Sequence, residues 1–381
     1  MDGFPVRILT LNPGSSSLKA AVVVDDKAVA TRTWPASDAR ADERAVAEAL
    51  TEWGNPDAVA VRFVHGGSRP GPALLDEHVL DELDRLAPLA PLHQPLSIDV
   101  ARLVTRLLPG IPVVGCFDTS FHSRLPEAAA RYALPRAWTS QHRLRRYGFH
   151  GLSCSYAARR AAELLGRKDP HLVCAHIGSG VSVTAISDGA SVDTSMGFTP
   201  LDGAVMATRP GSVDPGVLLH VLATGEITLA ELADALYHRS GLAGMTATDG
   251  DVRTVLTRRA AGDRAARDAI SVYAHRLRRE IGAAAMSLDR LDAVVFTGGV
   301  AEHQPDLLGE IVDGCGMLGL RADPARLARS GDRRISHDGA TPALLVLAAR
   351  EDLEIARAAE RKLSSRHPPL SRVRPGTRPA G

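Results

Sequence analysis

A short turn near the start of the chain carries residue types that bind a phosphate. Asn12 and Lys19 flank it, and between them lie a proline, a glycine, three serines and a leucine. The segments 6–11 and 20–24 on either side are largely apolar, so we expect a hairpin whose turn presents backbone N–H groups, hydroxyls and one cation. These groups predict an anion site, and phosphate is the anion that suits them. A serine-rich surface turn without a ligand is the alternative interpretation of this segment alone.

Several further polar residues follow predicted strands or lie in turns, where a cleft would receive them. They are Arg62, His65, His93, Asp118, His150 and Arg209. Taken singly, a histidine beside a glycine is more often structural, and a lone arginine is more often a surface residue. Taken together they suit phosphoryl transfer, because its transition state spreads negative charge and is stabilised by positioned cations and hydrogen-bond donors.

Each residue type in this set has a role in that chemistry. Two arginines can hold a carboxylate or a phosphate through paired hydrogen bonds that lysine cannot reproduce. A histidine can donate to an equatorial phosphate oxygen, and the oxygens of an Asn/Glu pair suit Mg²⁺. The chain has neither a GxxxxGK[ST] loop nor the protein-kinase signature, so the sequence predicts a phosphate site of another kind.

The elements that must position these residues follow an α/β pattern, in which strand-like segments alternate with stretches of helical period. Residues 11–15 and 175–179 both pass from a strand into a Gly-Ser turn, at an offset of 178 − 14 = 164 residues. Two copies of one hairpin predict two similar domains that face each other across a cleft. A third glycine turn, 297–302, predicts a helix N-terminus that attracts phosphate or ribose. The predicted strands are 6–11, 20–24, 58–63, 113–117, 172–176, 181–186, 293–297 and 344–347.

Length and composition agree with a two-domain protein of ordinary charge. The 381 residues exceed a single core, and 45 Lys+Arg against 44 Asp+Glu give a net charge of +1. This balance and the 4% aromatic content argue against a nucleic-acid partner. We expect a cytoplasmic protein without a membrane partner, because no signal-peptide pattern opens the chain and no apolar run approaches the ~20 residues of a bilayer span. The widely spaced cysteines predict buried thiols rather than disulfides or a zinc site: Cys116, Cys154, Cys174 and Cys315.

Four segments have helical or disordered character. Residues 228–231 have the spacing of a capping box, and a helix is expected from there to Gly241. The longest predicted helix is 263–291, which repeats apolar residues every three or four positions. The helical run 351–363 is expected to pack back on the first domain. Residues 366–381 are rich in Pro and Arg without periodicity, so a disordered tail is predicted.

A series of motifs between residues 6 and 360 resembles the acetate and propionate kinase family, within the superfamily of actin, sugar kinases and heat-shock ATPases. The resemblance implies two actin-like (ribonuclease-H-like) domains facing across a cleft: 1–119 plus 352–365, and 120–351. It also implies a homodimer. The motifs are LTLNPGSSSLK at 9–19, VHGG at 64–67, APLH at 90–93, FDTSFH at 117–122, RYGFHG at 146–151, TSMGFTPL at 194–201 and TRPGSVDP at 208–215.

The resemblance also implies roles for single residues. Asn12 and Glu351 would place Mg²⁺, with Mn²⁺ as an alternative. Arg62 and Arg209 would grip the carboxylate and the phosphoryl group, and His150 would steady the group in transit. A carboxylate acceptor is already ionised near pH 7, so for Asp118 we favour a positioning or electrostatic role over proton abstraction. The implied acyl site consists of Arg62, Val64, Leu92, His93, Phe149 and Pro200.

ATP is the implied co-substrate, with acetate or acetyl phosphate and ADP as the other ligands. Four departures from the family pattern cluster on the nucleotide side: Ser179 for Asn, Ala301 for Gly, His303 for Asn and Arg350 for Asn. Ala301 places a Cβ where backbone could approach a nucleotide closely, and Val252 replaces an aromatic residue. The residues that would bind ATP are Ser15, Ser17, Lys19, His176, Ile177, Gly178, Ser179, Gly180, Asp251, Val252, Arg253, Gly299, Val300, Ala301, Glu302 and His303.

Several alternatives stay open at this point. The small apolar pocket suits a methyl or an ethyl group, so propionate is a possible second acid. Pyrophosphate or another nucleoside triphosphate could replace ATP as the donor. A nucleotide-switched filament protein would not need the two arginines and the histidines together. A member of the family that binds acyl phosphate without turnover is a third alternative, suggested by the departures on the nucleotide side.

Overall fold

The computed structural model describes residues 6–14, 17–35 and 43–365. Its core is two six-stranded mixed sheets with helices on their faces. The strands are β1 Ile8–Pro13, β2 Ser17–Val24, β3 Lys27–Pro35, β4 Ala58–Phe63, β5 Ala73–Leu74, β6 Val113–Phe117, β7 Leu172–Ile177, β8 Val181–Ser187, β9 Ala190–Thr194, β10 Ala293–Thr297, β11 Arg333–Arg334 and β12 Ala343–Leu347.

Fifteen helices are defined within the described residues, besides short 3₁₀ turns at Ala87–Leu89, Asp118–His122 and Gly316–Leu318. The helices are α1 Glu43–Trp53, α2 Glu77–Asp84, α3 Gln94–Leu107, α4 Glu127–Ala130, α5 Arg136–His142, α6 Gly151–Leu165, α7 Pro215–Ala223, α8 Leu229–His238, α9 Gly241–Thr246, α10 Val252–Ala260, α11 Arg264–Met286, α12 Gly299–His303, α13 Pro305–Asp313, α14 Pro324–Leu327 and α15 Glu351–Ser364.

The two sheets have the same topology, which confirms the repeat predicted from the sequence. The first sheet has the order β3-β2-β1-β4-β6-β5, and the second, taken from its β9 edge, has the order β9-β8-β7-β10-β12-β11. In both, the first three strands are antiparallel, the next two pairings are parallel and the last is antiparallel. The hairpin of β1 and β2 therefore matches the hairpin of β7 and β8.

Successive side chains of each strand point to opposite faces of the sheet, and different helices cover the two faces. On the first sheet, Ile8 and its alternates pack with Ile355 of α15, and the opposite face packs with Val100 of α3. On the second sheet, Leu172 packs with Ala157 of α6, and the opposite face packs with α11. The C-terminal helix α15 thus packs on the first sheet.

All eight predicted strands are present, with small shifts at their ends. The strands β3, β5, β9 and β11 are missing from the prediction. Helix α11 is shorter than predicted at its C-terminal end, and α8 ends at His238 rather than at Gly241, although its capping box forms as expected. Ser15 and the predicted tail lie outside the described residues.

All four cysteines are free and buried, as expected. Within the described ranges, the helices are too short or too polar to cross a membrane.

Candidate active site

Neighbouring strands of the first sheet place polar side chains in one row. Lys19 on β2 is the ladder partner of Asn12 on β1. On β4, Val61 lies beside Leu11 of β1, and Arg62 is the next residue. Asp118 follows the last residue of β6 and lies in the same row. Because alternate residues share a face, Lys19, Asn12 and Arg62 lie on the face that packs against α15. This face changes from apolar to charged where α15 begins.

Arg62 is held by two neighbours in this row. Its Nε donates to Asp118 Oδ1 at 3.1 Å, its Nη2 to Asp118 Oδ2 at 2.6 Å, and its Nη1 to Asn12 Oδ1 at 3.0 Å. Burial lowers the pKa of Arg62, but the carboxylates of Asp118 and Glu351 more than offset this, so the pKa is raised. Burial raises the pKa of Asp118, and Arg62 opposes that rise. The row therefore presents a fixed guanidinium to the cleft.

Helix α15 brings a carboxylate to the same row through its first residue. Glu351 Oε2 accepts a hydrogen bond from Asn12 Nδ2 at 2.7 Å and lies 3.6 Å from Arg62 Nη1. Burial raises the pKa of Glu351, but the charge of Arg62 and other neighbours lowers it more. No group of three or more His, Cys, Asp or Glu side chains among the described residues could hold a metal. Asn12 and Glu351 offer oxygens of the type that Mg²⁺ prefers, and in this structure Asn12 Oδ1 accepts from Arg62 while Glu351 Oε2 accepts from Asn12.

Two histidines from the side of the second sheet stack on each other. His150 precedes α6 as its N-cap residue, with a φ of 55°, and His176 lies on β7. Their ring centroids are 4.2 Å apart and their planes differ by 30°. Burial lowers the pKa of His176 to about 4. The pKa of His150 is lowered well below its usual value by burial and then by His176 and the two arginines. Both imidazoles are therefore neutral near pH 7.

Arg209 enters the cleft from the loop before α7. Its Nη1 donates to the carbonyl of Pro200 at 2.8 Å, and burial lowers the pKa of Arg209 to about 10, so it stays charged near neutral pH. A Cβ at Gly180 would lie 2.6 Å from Arg209 Nη2 and 3.3 Å from His150 Nε2. A side chain at Gly180 would therefore displace the Arg209 guanidinium, and the guanidinium and the imidazole both lie against this turn.

An apolar corner of the cleft adjoins these cations. Val64, Phe149 and Pro200 line the cavity together with His93. Burial lowers the pKa of His93 to about 3, and Arg62 and Arg209 add to this effect. Leu92 does not line the cavity, because it is half-buried on the turn before α3 and only the next residue reaches the cleft.

The residues predicted to bind a nucleotide divide into two groups. Seven of them line the cavity: Ser17, Lys19, His176, Gly178, Ser179, Gly180 and Gly299. The other eight described residues do not: Ile177, Asp251, Val252, Arg253, Val300, Ala301, Glu302 and His303.

Ala301, expected to place a Cβ where backbone could approach a nucleotide, does not line the cavity. Ala301 is 1% exposed and its side chain packs in the core of the second sheet, so its Cβ faces away from the cleft. Val252 and Ile177 are buried in the same core. Asp251 caps α10 and pairs with Arg253 at 2.5 Å.

Several lining residues were missed by the sequence analysis. Ala349 lies after β12 at the position that matches Asp118 after β6. The match between the two strand ends could therefore have predicted that Ala349 lines the cavity. Gly298 was part of the predicted glycine turn. No signal pointed to the residues of β3, because that strand itself was not predicted. The missed lining residues include Thr10, Thr31, Arg32, Thr33, Gly298, Ala349 and Asp352.

The comparisons with known proteins agree with one another. A sequence profile of the Acetokinase family matches residues 43–357. An acetate kinase of a Synechococcus species is 45% identical over 80% of this chain and 76% of its own. A propionate kinase structure from Francisella tularensis has a TM-score of 0.85 at 31% identity, covering 93% of this chain and 98% of its own. The acetate kinase structure from Porphyromonas gingivalis has a TM-score of 0.84 at 30% identity, covering 94% and 100%. On this evidence the chain is a kinase that belongs to the acetokinase family.

Proposed function

We propose that this chain transfers a phosphoryl group reversibly between ATP and acetate, giving acetyl phosphate and ADP. The observation that carries the proposal is the meeting of Arg62, Arg209 and His150 at one cavity, beside a small apolar corner. Two guanidinium groups and a neutral donor suit the charge that spreads over a phosphoryl group in transit. The apolar corner suits the methyl group of the acid.

The proposed reaction is a direct in-line transfer. A carboxylate oxygen of acetate attacks the γ-phosphorus, the bond to the β–γ bridging oxygen breaks, and ADP leaves with that electron pair. Arg62 and Arg209 hold the carboxylate and the phosphoryl oxygens, and His150 donates to the phosphoryl group. Asp118 orients Arg62 through its two hydrogen bonds, so it needs no proton of its own to move. Mg²⁺ held by Asn12 and Glu351 would neutralise charge on the donor phosphates.

The identity of the acid rests on the apolar corner. The corner contains two side chains of modest size, Val64 and Pro200, and one aromatic ring, that of Phe149. Each added methylene changes the barrier by only about 1–3 kcal/mol, so propionate is a reasonable second substrate. The lining glycines 178, 180, 298 and 299 leave room for donor phosphates, and ATP is the proposed donor, with pyrophosphate or another nucleoside triphosphate as the alternatives.

Trapping acetyl phosphate with hydroxylamine tests the proposal directly. The purified chain is incubated with Mg²⁺, one donor (ATP, GTP or pyrophosphate) and one acid (acetate, propionate or butyrate). We expect hydroxamate with ATP and acetate, and less with propionate. Activity with pyrophosphate alone would refute ATP as donor, and no product with any pair would refute the acyl kinase.

A homodimer is part of the same proposal, and α7 supports it. This helix is apolar, yet none of its residues is buried: Val217 is 50% exposed and Leu219 is 68% exposed. An apolar surface of this kind marks a protein contact. Light scattering should give a dimer for the wild-type chain and a monomer for Leu219→Asp. A monomeric wild-type chain would contradict this part.

The proposed domain division is 1–119 plus 352–365 for one domain and 120–351 for the other. The packing of α15 on the first sheet supports the return of the chain to the first domain. We also propose that the protein acts in the cytoplasm, where ATP and short acids are available.

A further inference from the structure

Two buried serines hold the stacked histidines in a crossed arrangement. Ser182 Oγ lies 3.0 Å from His150 Nδ1, and Ser153 Oγ lies 2.8 Å from His176 Nδ1. Ser182 is the ladder partner of His176, whereas Ser153 lies in the first turn of α6, which His150 caps. The serine that contacts His150 therefore lies on the strand paired with the strand of His176. The serine that contacts His176 lies in the helix that follows His150.

Neither serine is placed to meet a ligand. Ser182 is 0% exposed, Ser153 is 1% exposed, and neither lines the cavity. Their hydrogen bonds occupy Nδ1 of each ring, so Nε2 is the nitrogen that remains for a ligand. In His150 this atom lies against the turn at Gly180, beside Arg209. The serines thus act on the cleft only through the two imidazoles.

The hydrogen bond at Nδ1 decides what Nε2 can do. A neutral imidazole carries one proton, so one ring nitrogen donates and the other accepts. With the proton on Nδ1, the lone pair of Nε2 would face phosphoryl oxygens and repel them. When Nδ1 accepts from a serine hydroxyl instead, Nε2 carries the hydrogen and donates to those oxygens.

We infer that Ser182 and Ser153 are positioning residues that donate hydrogen bonds to Nδ1 of His150 and His176, and so keep both rings as Nε2–H donors toward the ligand. For His150 the ligand is the transferred phosphoryl group, and this part rests on the proposed function. The neighbouring Arg209 supplies the charge, and His150 supplies a second, uncharged donor at the same turn.

A pair of variants with matched shapes separates the hydroxyl from packing. Ser182→Thr keeps the hydroxyl, Ser182→Val lacks it, and both add similar volume on β8. We expect kcat to be about 10- to 100-fold lower for Val than for Thr, by analogy with the loss of a group that orients a metal-ligating histidine, with little change in KM for ATP or acetate. Equal losses of kcat in both variants would overturn the inference.

A serine on the same strand provides the control. Ser187 Oγ contacts His171 Nε2 at 3.4 Å, and neither residue lines the cavity. Ser187→Ala should therefore keep the wild-type kcat. A loss in this variant as large as in Ser182→Val would show a general effect of serine removal on β8, and would also overturn the inference.

Histidine ¹⁵N NMR of the whole protein tests the tautomer independently of turnover. The His150 signals are assigned by their loss in His150→Gln. We expect a proton on Nε2 and none on Nδ1 in the wild-type chain, and a mixture of tautomers in Ser182→Val. A proton on Nδ1 in the wild-type chain would refute the inference. If the wild-type chain makes no acyl phosphate, the proposed function fails, whereas the NMR result still decides the role of Ser182.

Discussion

The two sheets repeat one topology but carry different chemistry at matching places. In the first sheet the row at the cleft consists of Lys19, Asn12, Arg62 and Asp118. The ladder registers align these positions with Ser182, His176, Thr297 and Ala349 in the second sheet. The first row holds three ionisable groups, of which Arg62 lies 3.6 Å from a further carboxylate, that of Glu351. The second row is uncharged near pH 7, since burial lowers the pKa of His176 to about 4.

The difference shows that a duplicated fold need not duplicate a site. A buried ion pair needs partners that satisfy it, and the first sheet supplies them to Arg62 from β1, β6 and α15. The second sheet supplies small groups instead: glycine turns that line the cavity, and a hydroxyl that is hydrogen-bonded to His150. The row of the first sheet thus binds by charge, and the row of the second sheet binds by shape and by neutral hydrogen bonds, whereas the charge on the second side comes from Arg209 in the loop before α7.

The largest expected effect comes from substituting, one at a time, the matching residues of β4 and β10. Arg62→Ala removes a cation that holds the transferred group, so we expect kcat to fall by about 10³- to 10⁵-fold, as for other arginines in phosphoryl transfer. Thr297→Val, at the matching position, should leave kcat nearly unchanged. Hydroxamate assays of both folded variants measure the contrast. Similar losses in the two variants would remove the distinction between the rows.

The next largest effect concerns stability. Asp118→Asn takes the negative charge from a buried pair and leaves Arg62 without its main partner. Breaking such a pair costs about 3–5 kcal/mol, so the free energy of unfolding in denaturant should fall by this order. Asp234→Asn, which breaks an exposed pair with Arg239, is the control and should leave the denaturation midpoint in place. An unchanged midpoint for Asp118→Asn would mean that the row does not depend on its charges.

A smaller effect should appear in the pH dependence of stability. The pKa of His176 is about 4 in the folded chain, against 6.5 for an unperturbed histidine. As the pH falls from 6.5 to 4, His176 binds a proton in the unfolded chain but stays neutral in the folded chain. The contribution of the neutral His176 to stability is therefore fully present above pH 6.5 and is lost between pH 6.5 and pH 4. Each such proton contributes about 1.4 kcal/mol per pH unit.

His176→Asn gives the second row the residue that β1 carries at the matching place, and it removes this proton. Between pH 5 and 6 the free energy of unfolding of the wild-type chain should therefore fall more steeply with decreasing pH, by about one proton, than that of the variant. Denaturant titrations at several pH values measure the two slopes. Equal slopes would place the neutral state of His176 in doubt.

The sequence predicted the parts of the fold that depend on local patterns. The central strands are continuous apolar runs, and the two hairpins share a Gly-Ser turn, so the repeat was visible before any coordinates. Strand β3 was not, because Lys27–Pro35 mixes charged, small and β-branched residues, and most of its side chains stay exposed or half-buried. What defines it is pairing with β2, and pairing between strands leaves little trace in one sequence.

The site was predicted in its charged residues but not in its contacts. Arg62 and Asp118 are 56 residues apart, and only the parallel register of β4 and β6 brings them together. Ser182 and Ser153 gave no signal, since a hydroxyl within an apolar strand or helix resembles an ordinary core residue. The burial of Ala301 could not be predicted, because the face of α12 that carries it depends on packing against the second sheet.

The smallest predicted effect examines the neutral row itself. Thr297 is 1% exposed, and its Oγ1 has no hydrogen-bond partner among the described residues. A buried hydroxyl without a partner lowers stability, so Thr297→Val, which keeps the shape and removes the hydroxyl, should raise the free energy of unfolding by about 1 kcal/mol. Denaturant titration of the variant beside the wild-type chain measures the change. A lower free energy of unfolding in the variant would show that the hydroxyl is hydrogen-bonded in solution. If the free energy of unfolding falls only when ligand is bound, Thr297 contacts the ligand, and the second row then binds by more than shape.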